Sequence, residues 1–172
     1  MGGPAIIDGE RVEGTDNFFV APVVIDGHEY KTAEHYFQAM KFAGDDPLVE
    51  ELRDKIRAAS SGGHAWQIGQ SRRLTPRGDW EAVKASVMFK AVKAKYDAYP
   101  KLAAELAATQ GPIRAAPSTA NWQQVNSLIL ERVREELRPE EERNVKRLEA
   151  LVRLTGPPGS SPPVVAPNGG AG

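Results

Sequence analysis

The chain has 172 residues, a formal net charge of −1 from 22 basic and 23 acidic side chains, and no cysteine. That length fits one domain able to bury a core, and the balanced charge excludes wholesale binding to a nucleic-acid backbone while leaving room for local basic clusters. Without thiols there are no disulfides, no thiolate catalysis and no cysteine-based zinc sites. His28, His35 and His64 lack metal-ligand spacing, so neither a metal nor a cofactor is expected. The opening Met1-Gly2-Gly3-Pro4-Ala5-Ile6 has no apolar signal core, and no apolar run could span a bilayer. The expectation is a soluble, intracellular, cytoplasmic protein.

In chain order, the first residues are Gly-rich and polar apart from Ala5-Ile6-Ile7, which precedes an Asp8-Gly9 turn signal. Phe18-Phe19-Val20-Ala21-Pro22-Val23-Val24-Ile25 is β-prone, but Pro22 restricts it to an edge strand or extended segment. After Asp26-Gly27, His28-Glu29-Tyr30 reads as the return strand, and Thr32 then caps a helix reaching Phe42. Pro47 opens a second helix with Leu48, Leu52 and Ile56 at helical spacing, ended by Ser60-Ser61-Gly62-Gly63. A short helix is expected over residues 64–69, and an ordered loop over 70–78. The strongest helix follows over 79–99, where Val83, Val87 and Ala91 recur. Residues 102–109 are Ala-rich and helical up to Gly111-Pro112. The next helix runs from Asn121 or Trp122 to Leu137, with Val125, Leu128, Ile129, Arg132 and Val133 marking its face. Pro139 begins a last helix, acidic first (Glu140, Glu141, Glu142) and basic later (Lys146, Arg147, Arg153), as the helix dipole favours. Residues 156–172 are Pro-, Gly- and Ser-rich and read as a disordered tail. The fold class is mainly α, with a small N-terminal β element.

The helix after Thr32 draws the chemistry. Steps of four and three residues place Glu34, Gln38 and Lys41 on one face, while Tyr36, Met40 and, less squarely, Phe37 form the apolar stripe. The polar triplet is crowded by aromatic residues rather than by flexible charged neighbours, which is the character of a cleft wall.

Thr15-Asp16-Asn17-Phe18-Phe19, then Ile25-Asp26-Gly27, then Thr32-Ala33-Glu34-His35-Tyr36-Phe37-Gln38-Ala39-Met40-Lys41-Phe42 resemble the opening of the NADAR family, also called YbiA-like. Ile68-Gly69-Gln70-Ser71-Arg72-Arg73, with Arg77 and Asp79-Trp80-Glu81-Ala82-Val83-Lys84, is similar to the family's second block, and Val87-Met88 and Ala91-Val92-Lys93-Ala94-Lys95-Tyr96 continue it. The resemblance covers roughly residues 17–137. It implies a compact multihelical YbiA-like domain and a metal-independent N-glycosidase. The implied substrates are ADP-ribose attached to guanine in nucleic acid, or phosphorylated ribosylaminopyrimidine intermediates of riboflavin synthesis.

Carried over residue by residue, the resemblance makes Glu34 and Lys41 the catalytic pair. A carboxyl group beside the sugar can stabilise cationic charge at C1 or move the leaving group's proton, and a lysine can form a Schiff base with an opened ribose. Read without the resemblance, Glu34 is an acid in a helix's first turn and Lys41 a helix-end cation. Arg72, Arg73 and Arg77 are the phosphate candidates, since planar guanidinium groups match phosphate oxygens; the plain alternative is a solvated basic loop. Asn17, with Phe18, is placed to orient a ribose hydroxyl or base edge. His35 reads as a structural hydrogen-bonding partner at the site, and Gln38 as a polar member of its wall. Trp122 can stack on a base beside Asn126, whereas Trp80 reads as core. The compact stretch from Ser118 to Ser127 lacks the glycines of many relatives, the aspartate often found near it, and the usual first strand upstream of Asn17 is also missing, so the base-recognition side departs most from the family pattern.

The expected layout is a flexible or short extended segment over 1–14, the glycosidase domain over 15–138, a helical extension over 139–155 and the tail over 156–172. Two rival readings are an ADP-ribose-binding module that does not cut, and an interaction protein whose last helix presents Val145, Leu148, Leu151 and Val152 to a partner. The sequence assigns no oligomeric state.

Overall fold

A computed structural model describes residues 2–160 of the chain. Among the described residues, two short antiparallel hairpins lead into seven α-helices. Strands β1 (Ala5–Ile7) and β2 (Glu10–Val12) pair Ala5 with Val12 and Ile7 with Glu10. Their turn places Asp8 at φ 54° and Gly9 at φ 84°, the left-handed pair that a two-residue hairpin needs. Of the two expected forms the N-terminal stretch takes the short extended one, and a strand pair does stand upstream of Asn17. Ala5 and Ile7 are buried, and Ile6 exchanges backbone hydrogen bonds with Arg114.

Only Val23–Ile25 of the β-prone run forms a strand, β3, paired with β4 (His28–Tyr30). Pro22 has no N–H for a ladder and sits just before it, and its carbonyl accepts from the Tyr99 hydroxyl at 2.8 Å.

Helix α1 (Ala33–Met40) begins at Thr32, whose Oγ1 accepts from the His35 N–H at 3.3 Å. The residues Ala33 to Ala39 are all buried, because α1 lies between α2 (Pro47–Ala58), α3 (Gly62–Gly69) and α4 (Trp80–Ala98). Helix α3 starts two residues earlier than its pattern suggests. Ser61 caps it through the His64 N–H, and Gly62 fits because a methyl there would lie 2.8 Å from the Phe18 ring. Helix α5 (Pro100–Ala107) opens on Pro100, and α6 (Trp122–Leu137) lies across α4 and α5.

The segment after Pro139 is broken rather than one helix. Glu140–Glu142 makes a single 3-10 turn, and α7 (Val145–Thr155) starts only after Asn144, whose side chain accepts from the Arg147 N–H at 3.1 Å. The break is fixed by Arg143, which donates to the carbonyls of Arg138 and Glu136 at the end of α6. Of the face considered for a partner, Leu151 and Val152 are buried as α7 packs on α6 and α4, Leu148 is half-buried and Val145 is exposed. The expected tail beyond Ser160 lies outside the described residues. Among the described residues no helix is long and apolar enough to cross a membrane.

The core joins Tyr30 of β4, Phe42 just past α1, Ile56 of α2, Met88 of α4, Leu106 of α5 and Ile129 of α6. Each such side chain contributes about 1.5–3 kcal/mol by leaving water. Because α1 runs through this core with polar residues on one face, those residues open onto a cleft without leaving the interior.

Candidate active site

Glu34 is 2% exposed. Its backbone N–H donates to the Asn17 carbonyl at 3.1 Å, and its Oε1 accepts from Gln38 Nε2 at 2.7 Å. About two turns along from Glu34, at the end of α1, Lys41 donates from Nζ to the Gly69 carbonyl at 2.8 Å. Gln38 lies between the two. Its Oε1 is buried without a hydrogen-bond partner, and a methyl on Gly69 would come within 2.0 Å of that oxygen. Gly69 is thus glycine for close approach rather than for backbone freedom. Asn17 closes the end of the row, donating from Nδ2 to Asn126 Oδ1 at 3.3 Å.

Burial sets the electrostatics. It raises the Glu34 carboxyl above its ordinary range; the Gln38 hydrogen bond and Lys41 oppose the rise, and Asp16 adds to it. Burial lowers Lys41 below the usual lysine range, with Glu34 opposing. Both groups are pulled toward their neutral forms, the protonated acid and the free amine.

These groups form the floor of a cleft of about 170 Å³. Phe37 anchors its aromatic wall, with its ring centroid 4.9 Å from Trp80 and 5.0 Å, edge-on, from Trp122. Trp66 from α3 stands in the wall as well, and Gln70, Glu81, Lys84 and Thr119 ring the mouth. A wider groove of about 730 Å³ between β2 and α5 holds Phe19, Tyr99 and Leu102, but its charged residues Arg11, Glu13, Lys101 and Glu105 are all exposed. It has no buried titratable group, so the smaller cleft is the chemically equipped one.

Of the residues singled out in the sequence, Asn17, Glu34, Gln38, Lys41, Trp122 and Asn126 meet in this cleft. Phe18 instead packs on Gly62 at the start of α3. His35 is fully buried, with Nδ1 2.8 Å from Thr32 Oγ1 and Nε2 3.1 Å from the Ala59 carbonyl. Of the two neutral tautomers only Nε2–H satisfies both contacts, with the Thr32 hydroxyl donating to Nδ1, and burial, the largest influence, lowers the histidine's pKa. Arg72 and Arg73 are exposed outside the cleft, Arg73 beside Leu48 and Leu52, and Arg77 forms a two-pronged pair with Asp79. Trp66, Glu81 and Lys84 were not singled out. For Glu81 and Lys84 a signal existed, since three residues apart they share a helix face one step from Trp80. Trp66, in a short Gly-flanked helix, had none.

The NADAR domain model matches residues 11–123. The chain belongs to the NADAR family. It is similar to the N-glycosidase YbiA of Escherichia coli (strain K12), 41% identical over 105 residues that make up 61% of this chain and 62% of that protein. It is also similar to "Riboflavin biosynthesis protein PYRR, chloroplastic" of Zea mays, 37% identical over 100 residues, 54% of this chain and 16% of that one. The aligned stretch spans less than two thirds of the length of these relatives. The NMR structure of E. coli YbiA superposes with a TM-score of 0.60 at 32% identity, covering 73% of this chain and 77% of that one. The fold is therefore the YbiA fold. Within this NADAR chain the glycine-free loop before α6 still takes a left-handed residue: Ala120 sits at φ 50°, where glycine would be unstrained.

Proposed function

We propose that the protein is an N-glycosidase that hydrolyses the bond between ribose C1 and a base or amine nitrogen, removing ADP-ribose from guanine in nucleic acid. The observation that carries this is the meeting, in one cleft, of a buried carboxyl pushed up and a half-buried amine pushed down. Family membership and the N-glycosidase name of the YbiA relatives support the reaction class.

The chemistry follows from those two groups. Glu34 in its acid form gives a proton to the ribose ring oxygen, and the C1–O bond opens as the attached amine nitrogen forms a double bond to C1. Lys41 as free amine adds to C1. The base then leaves as its amine, taking a proton returned by way of Glu34, and the lysine imine remains. Water adds to C1, the C1–lysine bond breaks, and the sugar departs as an aldehyde that recloses. The net change is addition of one water across the C1–N bond. Asn17 and Asn126 are placed to hold ribose hydroxyls, and Trp66 and Trp122 to receive a flat base.

A second reading, hydrolysis of a phosphorylated ribosylaminopyrimidine, is favoured by the riboflavin-biosynthesis name of the Zea mays relative. It uses the same atoms. The test runs wild type, Glu34→Gln and Lys41→Ala on guanine-ADP-ribosylated DNA and on the ribosylaminopyrimidine phosphate, with borohydride to trap an imine. Each substitution is expected to lower turnover by roughly 10²–10⁴, and the trapped adduct should vanish with Lys41. A folded wild type that cleaves neither substrate would sink the enzyme reading and leave a binding module.

A further inference from the structure

The cleft is smaller than the ~300 Å³ that usually encloses a drug-sized ligand, at about 170 Å³. It takes a sugar-sized group, and the remainder of a nucleotide must emerge at its mouth. With C1 against Glu34 and Lys41 at the floor, the C5 substituent points outward, and in both proposed substrates that substituent is a phosphate. A phosphate needs a cation, yet Arg72, Arg73 and Arg77 do not line the cleft. Its cationic residues are Lys41, engaged by Gly69 and drawn toward its neutral form, and Lys84.

We infer that the mouth of the cleft carries a phosphoryl subsite centred on Lys84, which takes the phosphate on C5 of the scissile ribose. The inference rests on the proposed reaction only for the direction in which the sugar lies. Lys84 is well placed for this. Its side chain is 22% exposed, and its Nζ lies 5.8 Å from the centre of the Trp122 ring, which keeps the ammonium at the mouth. Its protein partner is Glu81 Oε2 at 2.5 Å, on a side chain 81% exposed. An ion pair so open to water holds weakly, so the Glu81 carboxylate can swing into solvent when a doubly charged phosphate arrives.

Two helix starts reinforce the site. Helices α4 and α6 begin at Trp80 and Trp122, both in the cleft wall, and in neither does the N-cap side chain bond the first-turn amides. Asp79, the natural cap of α4, has its carboxylate occupied by Arg77. Each helix therefore brings its N-terminal residue to the cleft wall, although the Trp80 and Trp122 amides themselves donate to the carbonyls of Arg77 and Thr119. The floor beneath is tightly packed: Gln38 is 3% exposed, its Nε2 donates to Glu34, and its Oε1 lies against Gly69.

The test is calorimetric binding of ribose 5-phosphate, ribose and ADP-ribose to the full chain, as wild type, Lys84→Gln, Lys84→Arg, Glu81→Gln and Arg77→Gln. Wild type should bind ribose 5-phosphate well above ribose. Lys84→Gln should weaken ribose 5-phosphate roughly tenfold or more and leave ribose unchanged, Lys84→Arg should restore it, and Glu81→Gln should tighten it about twofold or more. A parallel loss for ADP-ribose places the first phosphate of a diphosphate in the same subsite; a loss confined to ribose 5-phosphate makes it a monoester site. Undiminished binding by a folded Lys84→Gln, a loss with Arg77→Gln instead, or no preference of wild type for the phosphorylated sugar overturns the inference. Because binding is read without turnover, a Lys84-dependent phosphate with no cleavage would refute the glycosidase reading alone, and cleavage with Lys84-independent binding would refute the subsite alone.

Discussion

At the floor of the cleft Glu34 and Gln38 are 2% and 3% exposed and Gly69 is packed too closely for a methyl, whereas at its mouth Glu81 is 81% exposed and the loop before α6 runs over open surface. On the floor, packing fixes positions and burial fixes protonation states. At the mouth, solvent screens Glu81 and leaves it free to change partners. Reaction chemistry therefore belongs to the floor, where one misplaced atom is felt, and substrate choice to the mouth, where exchange is tolerated.

The largest break in that contrast short of replacing Glu34 or Lys41 is Gly69→Ala. The methyl must displace the Gln38 amide, and with it the hydrogen bond to Glu34 and the carbonyl that holds Lys41. Turnover should fall by roughly 10²-fold, with about 1–3 kcal/mol lost in urea denaturation. An unaltered turnover number would mean that the floor yields as easily as the mouth.

Next comes Lys95, a second buried amine beneath the floor. It is 1% exposed, donates to the Asp16 carbonyl at 3.0 Å, and has its pKa lowered to about 8 by burial, with Asp16 opposing. Between about 8 and its ordinary 10.5 the unfolded chain binds the proton and the folded one does not, so stability rises with pH across that window. The cost of charging Lys95 is present in full below the lower value. The rise should be on the order of 1–3 kcal/mol between pH 7.5 and 10, measured by denaturant melts, and Lys95→Met should flatten it. A rise of the same size in the variant would assign it to other groups.

The smallest effect is expected at the mouth. Ala120→Gly relieves a left-handed alanine but loosens the unfolded chain, for a net gain of about 0.5 kcal/mol. Its signature is kinetic: KM should rise as the loop carrying Thr119 and Trp122 loses its fixed shape, with kcat unchanged. A fall in kcat would tie the loop to the floor more closely than the contrast allows.

The helices were legible wherever one face was apolar at a steady period, as over Pro47–Ala58 and Trp122–Leu137. The break at Arg143 was not, because it depends on a guanidinium reaching back to the carbonyls of Glu136 and Arg138 rather than on any local breaker. The N-terminal hairpin was signalled by Asp8-Gly9, yet its docking on Arg114 is a contact more than a hundred residues away. Within the site, the Glu34, Gln38 and Lys41 face followed from helix geometry. The arginine loop did not line the cleft, because residue type alone cannot say that Arg77 is taken by Asp79. Lys84 went unremarked because an acid–base pair three residues apart on a helix is ordinary until Trp122 is brought over it.

All three tryptophans of the chain, Trp66, Trp80 and Trp122, line this one cleft. Its ultraviolet emission is therefore the cleft's own signal, undiluted by indoles elsewhere. Any sugar or base that displaces water from the aromatic wall should alter the colour and intensity of that light, so occupancy can be followed without a label, on the timescale of mixing, in the unmodified protein.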